Sequence, residues 1–455
     1  MMGARSESIP FRENAAQAVR NAALRAAMRN ATGTFSVKRS HAIASVPIEE
    51  WRELASQVRL HVLDNLEEYV NRFERNAVKA GATVHRAKDA AAAREIVWCL
   101  LKDHGARKVV KSKSMITEEI HLNDYLERQG ITVVETDLGE YIIQIAREHP
   151  SHIIVPAIHK SRRQVGNLFA EKLGCERSED PVVLAKIARA KLREEFLSAD
   201  AGISGANFAV AGSGSLVLFT NEGNGRMCTT LPELHVAVLS IEKVIPSLAD
   251  LPKFIRLLPR SATGQILSAY VSIISGTRKA GEATGARHLH IVLLDNGRSD
   301  IVSGDSREML KCIRCGACLN ACPVYQTVGG HAYGSTYPGP MGIVLTVLLE
   351  GMERAHTLLD GTTLCGACGD VCPVKVPLPR LLRRLREQRV EIGFTAAAER
   401  LGMVGFGRVA RSPAFFELAQ KLARLAWKPA RITGIGSTLD RMPMPATTPF
   451  RKRIS

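Results

Sequence analysis

Residues 312–323 read Cys312-Ile-Arg-Cys315-Gly-Ala-Cys318-Leu-Asn-Ala-Cys322-Pro323. The spacing, C-x2-C-x2-C-x3-C-P, is one that ligates iron–sulfur cubes. Three thiolates from one tight loop reach three iron corners of a cube. The fourth starts the following helix and points to a second cube, and Pro323 constrains the chain's departure. The small Gly316 and Ala317 let the backbone approach the inorganic sulfides. A four-thiolate zinc site usually divides its ligands into two distant C-x2-C pairs, which this run does not do.

Forty residues on, the pattern returns as Thr362-Thr-Leu-Cys365-Gly-Ala-Cys368-Gly-Asp-Val-Cys372-Pro373, with Thr362 where a first cysteine would stand. Crossed ligation then assigns Cys312, Cys315, Cys318 and Cys372 to one cluster. Cys322, Cys365 and Cys368 are left for a second, one thiolate short. The expected cofactors are therefore two [4Fe–4S] clusters. A three-thiolate cube keeps a labile iron open to water or a substrate, is completed by a partner, or loses that iron and becomes [3Fe–4S]. Thr362 is a poor fourth ligand, because an uncharged hydroxyl matches iron badly beside thiolates. An open corner acting as a Lewis acid competes with the plainer role of an electron relay.

Working outward, the remaining cysteines, Cys99, Cys175 and Cys228, stand singly and read as small core hydrophobes. Cys228 lies beside a Gly-rich segment and is a minor candidate for the missing ligand. Clustered cysteines in a chain with no apolar N-terminal signal region point to metal or redox chemistry in a reducing compartment rather than to disulfides. No apolar run approaches the ~18 residues needed to cross a bilayer. The expected location is the cytoplasm. The 455 residues, 45% hydrophobic, allow several domains with a sizeable core.

Four regions are expected. Residues 1–80 suit helices; within them Leu54, Val58, Val62 and Leu63 fall near one helical stripe. Residues 81–300 alternate short β-branched runs (Val109-Val110, Ile131–Val134, Ile153–Val155, Ser215–Phe219, His288–Leu294) with helical stretches, which predicts an α/β domain with a largely parallel sheet. Residues 301–393 form a helical two-cluster domain. Residues 394–455 form a basic helical end, with two helices between Phe394 and Trp427 and a tail from Lys428 expected to be extended or poorly ordered.

Two polar loops of the α/β region look like a ligand pocket. Lys111-Ser-Lys-Ser follows a strand and opens a helix; Asn221-Glu-Gly-Asn-Gly-Arg226 follows another, and open α/β sheets bind ligands at such strand ends. Lys111, Lys113, Asn221, Asn224 and Arg226 are the candidate residues for a small carboxylate or phosphate, against the plainer reading of turn chemistry and solvated lysines. There is no phosphate loop, and Gly405-Phe-Gly-Arg-Val-Ala410 lacks the preceding strand that a dinucleotide site needs. The net charge is +16, and residues 374–455 carry 17 Lys plus Arg against 5 Asp plus Glu. With Phe415, Phe416, Leu418, Leu422, Leu425 and Trp427, this end fits peripheral contact with an anionic membrane face or an acidic partner, against a solvated packing helix. Nucleic acid is not an expected partner: aromatics are 5% and no recognition motif occurs.

Several stretches together resemble the lactate utilisation protein B family: Lys111-Ser-Lys-Ser-Met-Ile-Thr-Glu-Glu, Gly202-Ile-Ser-Gly-Ala-Asn-Phe, Thr220-Asn-Glu-Gly-Asn, Leu293-Leu-Asp-Asn-Gly-Arg, Cys312-Ile-Arg-Cys-Gly-Ala-Cys, Gly330-His-Ala-Tyr-Gly and Tyr337-Pro-Gly-Pro. The resemblance implies a LUD α/β domain, similar to the sugar-isomerase and CoA-transferase-like folds, followed by a ferredoxin-like domain with two clusters. It implies the same seven cysteine ligands, and a shortened second motif common to the family. It also implies work with two partner proteins in oxidising L-lactate to pyruvate for growth, with a downstream electron acceptor. The chain would be an electron-transfer subunit of an L-lactate dehydrogenase-type complex, cytoplasmic or peripheral at the inner membrane face. The alternative is a redox-sensing or scaffolding protein whose LUD domain binds a metabolite or partner.

Overall fold

The runs Leu234–Ser240 and His288–Leu294 are almost wholly buried, as β-branched and leucine-rich strands covered on both faces must be. They form the middle of a parallel sheet. The computed structural model describes residues 8–432 and Ala446. Its strands, in chain order, are β1 (Thr83–Ala87), β2 (Lys108–Lys111), β3 (Thr132–Glu135), β4 (Ala201–Ser204), β5 (Phe208–Val210), β6 (Ser215–Thr220), β7 (Leu234–Ser240), β8 (Val244–Ile245), β9 (Tyr270–Ile274) and β10 (His288–Leu294). Six of them make a sheet in the order β1-β10-β7-β4-β2-β3, and every pairing in it is parallel. The other four make a mixed sheet, β8-β5-β6-β9. The α/β architecture expected from the sequence is present.

Helices cover the parallel sheet on both faces. One face packs against Ala93, Val97 and Leu101 of the helix Ala90–Asp103 and against Leu122 and Leu126. The other packs against Val70, Phe73 and Ala77 of the helix Leu66–Lys79 and against the mixed sheet. A further apolar core joins the mixed sheet (Phe208, Val217), the helix Leu251–Ala262 (Phe254, Leu257), the N-terminal helices (Phe11, Met28, Leu63) and the cysteine region (Leu319, Tyr325, Leu345).

Two local expectations are corrected. Ile153–Val155 is a bend, not a strand: the His152 Nδ1 accepts from the Ile154 and Val155 N–H groups at 2.9 and 3.2 Å, which turns the backbone on itself. In the helix Ile48–Asp64 the buried stripe is Ala55, Ser56, Arg59, Val62 and Leu63, while Leu54 is exposed. An arginine thus occupies the centre of an apolar face.

From Arg307 to Leu378 the chain runs through short helical pieces around two loops: a 3-10 turn Arg307–Lys311, the helices Ala317–Asn320, Pro323–Val328 and Gly339–Glu350, and the helix Ala367–Asp370. Residues through Arg386 form one compact unit and those from Glu387 a second. In the second, the helices Ala397–Ala410 and Pro413–Ile432 account for the two expected there. The second helix continues past Lys428, where an extended or poorly ordered tail was expected, to Ile432; the rest of that tail lies outside the described residues. Among the described residues no helix is long and apolar enough to cross a membrane.

Candidate metal centre

The two cysteine loops share an unusual backbone. Arg314 (φ 58°) and Leu364 (φ 54°), each just before a cysteine, are left-handed, and the glycine after that cysteine is left-handed too, Gly316 at φ 76° and Gly366 at φ 91°. A non-glycine residue in this region is strained, and the strain recurs at matching positions of both motifs. It aims successive side chains to one side of the loop. In the first loop the Arg314 N–H donates to the Cys312 sulfur at 3.4 Å. In the second, the Leu364 N–H donates to the Thr362 hydroxyl at 3.1 Å. Thr362 therefore keeps the turn-forming hydrogen bond of the cysteine position while supplying no thiol.

The seven cysteines gather as two sets. One concave site is walled by Cys312, Cys315, Cys318 and Cys372, closed by Met309, Met341 and Val376. Another is walled by Cys322, Cys365 and Cys368, with Thr362, Pro340 and Leu382. Cys322 and Cys372 each cross to the site of the other motif. The first set is mostly buried; in the second, Cys365 is exposed. Burial pushes the Cys315, Cys318 and Cys372 thiols up, and neighbouring thiols add to the rise. Burial takes Cys368 to about 12, with Cys322 and Cys365 as the charges beside it. Cys365 goes the other way, lowered by a hydrogen bond from Thr363.

These donors fit an iron–sulfur cube and not a single ion. Four thiolates on one zinc at ~2.3 Å bonds would stand about 3.8 Å apart. Among the described residues the only trio of metal-binding side chains with ligand atoms within 4.8 Å of one another is Glu148, His159 and His331, with no cysteine in it. Among the described residues no three of the cysteine sulfurs lie that close together. Cys228 stands elsewhere: it is buried in the α/β core beside Val110 and Val134, 3.3 Å from the Thr136 hydroxyl, and burial lifts its thiol to about 12. It lines neither site.

The first loop is anchored by buried charge. Arg314 pairs with Glu242 at 3.2 Å, Glu242 with Arg298 at 2.9 Å, and Arg298 with Glu119 at 2.7 Å. The Tyr337 hydroxyl donates to Glu119 at 2.7 Å, and its ring lies 5.3 Å from the Arg314 guanidinium. Burial pushes the Glu242 carboxyl up, but Arg298 and Arg314 outweigh it and hold it at about 2. Arg59, fully buried, donates to the carbonyls of Leu310 (2.8 Å), Lys311 (3.2 Å) and Val244 (3.0 Å) and to that of Glu242. It ties the entry of the first loop to the edge of the mixed sheet.

The loop also faces a cavity of about 550 Å³ at the carboxyl ends of β2, β4 and β7. Lys113, Asn221 and Asn224 of the sequence-derived pocket line it, together with Lys243, Arg314 and Tyr337. Lys111 and Arg226 do not. Lys111 is wholly buried between Glu118 (3.2 Å) and Glu135 (2.5 Å), and Arg226 lies over the Tyr270 ring at 5.7 Å. A lysine at the last position of a strand points to one face or the other, and here Lys111 points away from the cavity. Neither Lys243 nor Arg314 is marked as a pocket residue by the sequence around it. Arg314 sits inside a metal motif, and Lys243 follows the buried Glu242 with no motif of its own.

The LUD domain family matches residues 70–294, and the 4Fe-4S dicluster domain family matches residues 308–376. The chain is 43% identical over 431 residues to "Lactate utilization protein B" of Lysinibacillus sphaericus, covering 94% of this chain and 90% of that protein. The chain belongs to the lactate utilization protein B family. The protein of that name from Bacillus subtilis is 43% identical, covering 93% of this chain and 88% of its own length. The "Uncharacterized electron transport protein YkgF" of Escherichia coli is 42% identical over 92% and 88%. In this chain the LUD match ends before the paired cysteine motifs begin, and the cavity is lined by residues of both matched regions.

Proposed function

We propose that the chain is the iron–sulfur electron-transfer component of a multi-protein system that oxidises L-lactate to pyruvate. The observation that carries this reading is the crossed division of seven cysteines into two separate sets, in a member of the lactate utilization protein B family. Cys312, Cys315, Cys318 and Cys372 would hold one [4Fe–4S] cluster. Cys322, Cys365 and Cys368 would hold a second, with Thr362 at the position of the absent thiolate. Clusters so held supply one-electron carriage.

The chain's own residues set the conditions for that carriage. Arg59 and the Glu119–Arg298–Glu242–Arg314 series hold the first loop to the α/β scaffold, so its thiols keep a fixed spacing. The apolar lids Met309, Met341 and Val376 keep water from the first site. The second, with Cys365 exposed, offers the point of exchange with a partner or acceptor. The exposed Phe415, Phe416, Leu418, Leu422 and Leu425 of the basic C-terminal helix support peripheral contact with an anionic membrane face near that acceptor.

The test is an anaerobic mixture of the cluster-loaded chain with its two partner proteins. L-lactate bleaches the visible absorption of the clusters if the reading holds. Clusters that respond to dithionite but not to lactate in the complete mixture would sink it.

A further inference from the structure

We infer that Arg39 and Arg52, on the helices Ala22–Ile43 and Ile48–Asp64, raise the reduction potential of the first cluster by holding positive charge behind Cys315 and Cys372. The inference rests on the reading that this chain holds two clusters. It gives a role to the helices before residue 70, which lie outside both matched regions.

Both guanidiniums reach the second cysteine loop from outside it. The Arg52 Nε donates to the Cys372 carbonyl at 2.9 Å and its Nη2 to the Gly369 carbonyl at 3.3 Å, while Arg39 donates to the Val371 carbonyl at 3.4 Å. Two cations thus converge on the turn that delivers Cys372 to the first site, close enough to repel each other. Arg52 is partly neutralised by the exposed Glu49 at 2.7 Å. Among the described residues Arg39 forms no ion pair, and its buried Nε has no hydrogen-bond partner. One long hydrogen bond is a poor fastening for a guanidinium. The backbone that carries it is nevertheless held tightly: a Cβ on Gly264 would stand 2.6 Å from the Arg39 backbone nitrogen, so a glycine is what lets the helix come this close.

Two like charges placed together, one of them with no carboxylate, call for an anion beside them. The first site supplies it. The Arg39 charge acts on Cys315 and Cys372, and the Arg52 charge acts on Cys372. A cube held by four thiolates carries net negative charge, and reduction adds one more. A nearby cation therefore stabilises the reduced form more than the oxidised, and among buried groups salt screens that effect little. Arg59 and Arg314 approach the same site at Leu310, Lys311 and Cys312, and Glu242 answers Arg314. Arg39, with no carboxylate of its own, is the simplest of these charges to remove.

The test is an EPR-monitored redox titration of the full chain, purified without oxygen. The first cluster's signal is the one that Cys318→Ser abolishes. Arg39→Gln should lower its midpoint, making the reduced form about tenfold scarcer at a fixed potential, about 59 mV for one electron. Arg39→Lys should restore most of the shift, because it keeps the charge while changing the hydrogen bond. A role in packing alone would not follow charge in this way. Wild-type iron content shows that each variant keeps both clusters. Should Arg39→Gln lose iron, Arg52→Gln and Arg52→Lys carry the same comparison. A midpoint that the Gln variant leaves unchanged, a shift that Gln and Lys produce equally, or one shared equally by both signals overturns the inference while the two-cluster reading stands. A chain that holds no iron–sulfur cluster overturns both.

Discussion

At the scale of single residues, the second loop is the first with one sulfur removed and its turn preserved. Thr362 accepts the hydrogen bond that Cys312 accepts, from the N–H two residues on. Thr362→Cys should therefore fit without disturbing the loop and give the second site a fourth thiolate. Its iron should survive exposure to air several-fold longer than in wild type, read as the decay of visible absorption. The paired glycines differ in surroundings, not in backbone. A Cβ on Gly366 would meet nothing within 4 Å, whereas one on Gly316 would stand 3.1 Å from His152 and 3.2 Å from Ile154. Gly366→Ala should cost about 1 kcal/mol from the left-handed backbone alone. Gly316→Ala should cost about 2 kcal/mol or more, since well-packed neighbours must also yield. Urea midpoints of the cluster-loaded proteins measure both. The cysteine pattern was legible because ligand spacing along one loop is local. The Lys111 misreading shows the opposite limit: which face a strand-end lysine takes is set by Glu118 and Glu135, and Glu135 lies on a neighbouring strand.

At the scale of elements, buried polar side chains join pieces that the sequence leaves unconnected. Arg59 interrupts the apolar stripe of its helix, and periodicity alone counts it as a blemish. Its partners, the carbonyls at 242, 244, 310 and 311, are some 180 to 250 residues away in the chain. Arg59→Met would leave them unanswered and should cost on the order of 3 kcal/mol, seen in the unfolding midpoint. The bend at Ile153–Val155 has the same lesson, since a β-branched run yields to a histidine that captures two backbone N–H groups. Acid should act in two windows. Burial holds His235 neutral, its pKa lowered from 6.5 to about 4. The stability this gives is present above 6.5 and lost as pH falls toward 4. Glu242 is lowered from 4.5 to about 2; its contribution is present above 4.5 and lost as pH falls toward 2. Each is on the order of 3 kcal/mol. Glu242→Gln should remove the lower window from a melting-temperature series in pH and leave the upper.

At the scale of the molecule, the α/β sheet and the cysteine region are built as one packed body. The N-terminal helices, though first in sequence, lie against the last cysteines: Arg52 donates to the Cys372 and Gly369 carbonyls at 2.9 and 3.3 Å, and Arg39 to that of Val371 at 3.4 Å. Alternating strands and helices made the α/β class legible, because a parallel sheet demands crossovers. The cavity was only half legible: three of its lining residues sit on strand-end loops, where ligand sites are expected, while Lys243 and Arg314 reach it through the packing of separate regions. What all of this positions is two sets of sulfur donors. The most direct test is iron and sulfide analysis with EPR on anaerobically purified protein, beside Cys318→Ser and Cys368→Ser. Two clusters predict about seven to eight irons per wild-type chain, with each variant losing a different EPR signal and keeping the other. A colourless protein holding zinc, or a single signal that both variants abolish while the fold persists, would contradict the account.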